Sequence, residues 1–162
     1  MLRVLINPTP QQVSQRYALA QTTLLCAFAV VVLFLPGPLL FFSAIAISVG
    51  KLLCLIGVLV LVLGLISLRG TIQIAPEPRA GKQLVQKGIY RYFRHPIYTG
   101  IICCVIGLWL KRPAAWVAIA GIVVIAFLVM KVRVEEEFLA RTYPDYAEYK
   151  RRSWGLFPGL RS

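Results

Sequence analysis

The chain has 162 residues, 59% of them hydrophobic, with a mean hydropathy of +0.75 and a formal net charge of +12. Such apolar content excludes a soluble domain of this size and leaves no room for a soluble catalytic unit beside runs of roughly 20 apolar residues. The positive charge flanks those runs, so it marks topology and attraction to anionic membrane lipids, and no nucleic-acid partner is expected.

Residues 1–16 are a short head in which Pro8 and Pro10 interrupt any helix. No cleavable signal peptide is evident. A first span covers 17–35, and Gln21, Thr22 and Thr23 at its start turn toward other helices rather than lipid. Pro36-Gly37-Pro38 is a tight turn. Residues 39–68 are apolar for longer than one straight span needs, so a second span is set at 42–68 with tilt, or as a span preceded by a re-entrant piece. Lys51 inside it is either functional or snorkels, and its place near the outer end favours snorkelling. A polar loop follows at 69–96, then a short third span at 97–110, a turn at Lys111-Arg112-Pro113 and a fourth span at 114–131. Nothing breaks the fourth span, so its helix runs on into a tail, 132–162. The expected fold is all-α: one membrane-embedded domain over 1–162, a polytopic transmembrane bundle of about four spans with a C-terminal helical extension. The loop and the tail hold most of the Lys and Arg, which places both termini and both segments in the cytoplasm. Cys26, Cys54, Cys103 and Cys104 lie in apolar runs without metal-ligand spacing and read as small buried hydrophobes; no metal site is expected.

The loop ends in KQLVQKGIYRYFRHPIYTG, residues 82–100, with the only histidine, His95, among Tyr90, Tyr92, Phe93 and Tyr98. Basic and aromatic residues gather at any membrane edge, but that alone does not explain one His, one Pro and three Tyr at a helix start. Pro96 suits the first turn of a helix, which sets His95 at its N-terminal mouth. Such a mouth offers free N–H groups and partial positive charge to a carboxylate or phosphate. The fourth helix brings Lys131, Arg133, Glu135, Glu136 and Glu137 back to the same membrane face. Pairs Lys131–Glu135 and Arg133–Glu137 have the less favourable base-before-acid order. Three adjacent glutamates also repel, so one of them is expected to turn inward toward a cationic ligand group. Beyond Pro144, Tyr143, Tyr146, Tyr149, Trp154 and Phe157 alternate with bases and suggest an amphipathic lid on the membrane surface.

Leu84-Val85, Gly88, Tyr90, Arg94-His95-Pro96, Tyr98 and Gly100, followed by Glu135-Glu136, Leu139, Tyr146 and Tyr149, resemble the two motifs of the isoprenylcysteine carboxyl methyltransferase and phospholipid methyltransferase group of integral membrane enzymes. The match covers roughly the C-terminal half. It implies S-adenosyl-L-methionine as methyl donor, held by Lys82, Gln83, Leu84, Val85, Tyr90, His95, Pro96, Ile97, Tyr98 and Glu135. It implies catalytic roles for His95 and for Lys131, with Arg133 as a substitute, in positioning a lipid-borne or hydrophobic acceptor. Lys131 stands where arginine is more usual, and Gly155 stands where the group carries an arginine before the closing proline; both differences fall on the acceptor side. The abundance of bases favours an anionic acceptor. The alternatives are a phosphatidylethanolamine-type N-methyltransferase and a small non-enzymatic membrane module.

Overall fold

A computed structural model describes residues 10–35, 43–69 and 84–159. The Pro36-Gly37-Pro38 turn and most of the polar loop, with Lys82 and Gln83, lie outside the described residues. Among the described residues five α-helices follow one another: α1 Pro10–Phe34, α2 Ala44–Leu68, α3 Pro96–Lys111, α4 Ala115–Thr142 and α5 Tyr146–Arg152. The first four correspond to the four expected spans. Three of them, α1, α2 and α4, are long and apolar enough to cross a membrane. The 16 residues of α3 reach only about 24 Å at helical rise.

Local signals set most helix ends. Pro10 opens α1 rather than interrupting the head, because the first helical turn has no use for its missing N–H. Ser43 caps α2, its hydroxyl accepting from the Ala46 N–H at 3.3 Å. Pro96 stands at the first position of α3 with His95 as its cap. α4 runs 28 residues without a break and stops at Thr142, just before the Pro144 turn.

The helices associate as two close pairs. α2 and α3 meet backbone to backbone through glycines seven residues apart: Gly50, Gly57 and Gly64 on one side, Gly100 and Gly107 on the other. A Cβ on Gly57 would stand 2.7 Å from the Gly100 carbonyl oxygen, and one on Gly107 2.6 Å from that of Gly50. In lipid, where burial of apolar groups gives no drive, such close approach supplies the dispersion and Cα–H···O contacts that hold helices together. α1 packs antiparallel on α4, with Phe28 over Gly121. Arg112, in the α3–α4 turn, donates to the carbonyls of Val32 and Leu35 at the end of α1. The core is Phe28, Ile102, Val105, Ala114, Val117, Val124 and Leu128. Outward faces stay apolar, as with Leu52, Leu55 and Leu59 on α2, which suits a bilayer and not water.

Two further expectations change. Cys26 is exposed on α1 rather than buried, since a small apolar thiol costs nothing against lipid; Cys54, Cys103 and Cys104 are partly buried and all four are free thiols. The tail is not a free lid: Tyr146 and Tyr149 are buried against the protein, and Phe93 and Trp154 form a parallel bridge. Tyrosines three apart on a short helix share a face, and that face finds the 88–95 segment.

Candidate active site

Residues 84–95 wrap the end of α2 and lead into α3. A 3-10 turn spans Gly88–Arg91, and Gly88 takes φ +61, where a side chain would strike the Ser67 hydroxyl. That hydroxyl accepts the Ile89 N–H at 3.4 Å, tying the turn to α2. The chain then reaches His95, which is buried at the mouth of α3.

Four side chains converge there. The Tyr98 ring stacks on His95 with centroids 5.7 Å apart and 10° between planes. The Tyr98 hydroxyl donates to Glu135 Oε1 at 2.7 Å. His95 Nδ1 lies 3.7 Å from Glu135 Oε2, and its Nε2 lies 3.5 Å from Glu136 Oε1 without a well-formed hydrogen bond. Lys131 is 5% exposed. Its ammonium stands 3.5 Å from Glu135 Oε1, 5.2 Å from the centre of the Tyr98 ring, and donates to Gln21 Oε1 of α1 at 2.5 Å.

A second cluster joins the first through Glu136. Arg94 Nε donates to Glu136 Oε1 at 2.8 Å, and Lys150 Nζ lies 2.9 Å from Glu136 Oε2. The same Arg94 guanidinium donates to the carbonyls of Lys150 and Ser153, while the backbone N–H of Arg94 donates to Trp154 and that of Trp154 to Tyr92. One arginine therefore fastens α5 and the following strand-like segment over the mouth. Tyr149 donates to the Tyr90 carbonyl at 2.6 Å. Burial pushes the Tyr149 phenol up to about 12 despite the nearby Arg94 and Arg152, so it stays a protonated donor at neutral pH, and burial likewise raises Tyr146.

Of the residues singled out in the sequence, His95, Tyr98, Lys131 and Glu135 meet in one place, with Tyr90, Pro96 and Ile97 on the segment that carries them and the half-buried Leu84 and Val85 leading into it. Arg133 is exposed. The Arg133–Glu137 pairing does not form; Glu137 is an exposed side chain that faces Arg141 at 3.9 Å instead. Two glutamates, not one, turn inward: the Glu135 and Glu136 side chains are 13% and 11% exposed. Sequence reasoning missed Glu136, Arg94, Lys150 and Gln21 as members of this network. The acidic triplet carried a usable signal, because about 100° per residue lets two neighbours share an inward arc and sends the third out.

The family model described as phospholipid methyltransferase matches residues 45–146, from the start of α2 to the start of α5. The chain belongs to the phospholipid methyltransferase family. This family member is similar to the cobalt-zinc-cadmium resistance protein CzcN of Cupriavidus metallidurans, 34% identical over 85 residues that cover 51% of this chain and 38% of the relative. It is also similar to the nickel-cobalt-cadmium resistance protein NccN of Alcaligenes xylosoxydans xylosoxydans, 32% identical over 85 residues, 51% of this chain and 39% of the relative. The matched stretch thus spans under two-fifths of those curated relatives. In three dimensions the family member is similar to a eukaryotic intramembrane Ras methyltransferase, isoprenylcysteine carboxyl methyltransferase, with a TM-score of 0.61 at 19% identity over 96% of this chain and 55% of that one. At that identity the likeness establishes the fold: an all-α membrane bundle.

Proposed function

We propose that this family member is an S-adenosylmethionine-dependent methyltransferase that acts on a lipid-borne or membrane-delivered acceptor, in the manner of the isoprenylcysteine carboxyl O-methyltransferases. The observation that carries the reading is Glu135: a mostly buried carboxylate, oriented by Tyr98 and Lys131, beside a helix mouth capped by a buried histidine. These groups suit the donor's amino-acid end. Glu135 would receive its ammonium through a charge-assisted hydrogen bond, and the first N–H groups of α3 its carboxylate. His95 and Tyr98, stacked, form an aromatic wall for the rest. When bound, the donor supplies an already activated methyl group on its sulfonium. What remains for the protein is in-line placement and exclusion of water. Arg94 and α5 close the site from above, and Lys131 offers a cation to orient an anionic acceptor. Lys82, Gln83, Leu84 and Val85 complete the donor site in this reading, and the polar mouth faces the cytoplasm.

The family match itself favours a second reading, methylation of a phospholipid amine. Such an acceptor must lose a proton, and His95 Nε2, buried and without a hydrogen bond, is the base within reach. Incubating the purified protein with methyl-labelled donor and either an S-prenylated cysteine or phosphatidylethanolamine vesicles separates the two. We expect label in a base-labile ester of the cysteine carboxylate. Label in phosphatidylethanolamine alone selects the second reading, and failure to bind the donor in calorimetry removes both.

A further inference from the structure

α1 lies before residue 45, outside the matched stretch, yet it reaches into the charged cluster. Lys131 is a buried ammonium shared between two oxygens: Gln21 Oε1 at 2.5 Å on α1, and Glu135 Oε1 at 3.5 Å on its own helix. Glu135 is the carboxylate assigned above to the donor's amine, and the inference rests on that assignment. An amine arriving at Glu135 brings a second cation to a place Lys131 already serves. Two ammoniums then share one carboxylate and repel each other, which weakens the hold of Lys131 on Glu135, and a buried ammonium short of acceptors is strongly unfavourable.

We infer that Gln21 is a positioning residue of the donor site: it keeps Lys131 satisfied on the α1 side when the donor takes Glu135. Its carbonyl oxygen is a neutral acceptor, so it holds the ammonium without cancelling the charge. A second polar group stands on the same face of α1. Ser14, seven residues and about two turns earlier, is 5% exposed and its hydroxyl has no hydrogen-bond partner. The inward face of α1 thus carries polar atoms where a span facing only lipid would carry none. A merely structural Gln21–Lys131 bond between α1 and α4 has different consequences: its loss lowers stability and leaves donor affinity alone.

Calorimetric titration of detergent-purified protein with S-adenosylmethionine distinguishes the two, without any acceptor or turnover. Gln21→Met keeps the length of the side chain and removes the oxygen; we expect it to weaken donor binding about tenfold, since Lys131 is then stranded. Gln21→Glu restores an oxygen and should return affinity to within about threefold of wild type. Lys131→Met removes the cation that Gln21 serves, so adding Gln21→Met to it should change donor affinity no further. Gln21→Ser replaces Gln21→Met if the latter does not fold. Wild-type affinity in Gln21→Met, or an equal loss with and without Lys131, overturns the positioning role while donor binding by the wild type preserves the methyltransferase reading. A wild-type protein that binds no donor removes both.

Discussion

His95 and Glu135 occupy one buried spot although 40 positions separate them, and each has a distinct job in the proposed site. Removing either leaves a partner unpaired in a low-dielectric pocket. His95→Ala and Glu135→Ala are therefore expected to weaken S-adenosylmethionine binding by at least about tenfold, or ~1.4 kcal/mol, in calorimetry. Lys131 and Arg133 separate sharply in burial, the first enclosed and the second exposed. The double change to alanine should raise the acceptor's KM or lower the single-turnover rate, with donor affinity little changed. Arg133→Ala alone should be silent. Unchanged methylation in the double variant would remove the acceptor role.

At the scale of elements, the glycine seam decides how α2 and α3 lie. A methyl group on Gly57 would meet both the Gly100 carbonyl oxygen and Cys104 Sγ at 2.7 Å. Backbone cannot yield as a flexible side chain does, so the helices must part. Gly57→Ala should cost about 1–3 kcal/mol, read as a lowered thermal midpoint in detergent. Leu55→Ala, on the exposed face of the same helix, is the control, with an expected change within about 0.5 kcal/mol. His95 caps α3, so parting the pair also displaces the mouth, and donor binding should fall together with stability in Gly57→Ala.

Among the described residues the bundle gathers its network of buried ion pairs at one end. There the α3 mouth, the later part of α4, Gln21 of α1 and α5 come together, while the opposite end carries the Arg112 tether to α1. Because lysines and arginines crowd that polar end, a reporter fused after Ser162 should read as cytoplasmic. An external signal would reverse the orientation of the bundle and, with it, the side from which a water-soluble donor enters.

What the sequence determined by itself is local. Apolar run lengths placed four helices, Pro96 placed His95 at a helix mouth, and the unbroken stretch after Met130 carried α4 to its stop before Pro144. The pairing of the two motifs was legible because a short turn must return α4 to the membrane face from which α3 started. Only the tertiary structure decided which sides of these helices meet. In a bilayer the lipid-facing side is as apolar as the packed side, so periodicity does not tell Leu55 from Leu61, and the Gly50–Gly57–Gly64 stripe acquires meaning only opposite Gly100 and Gly107. Nor could spacing along the chain match Gln21 to Lys131 or Arg94 to the carbonyls of the tail. Those bonds join residues 110 and 59 positions apart, and their geometry is set by packing between elements rather than by either partner's neighbours.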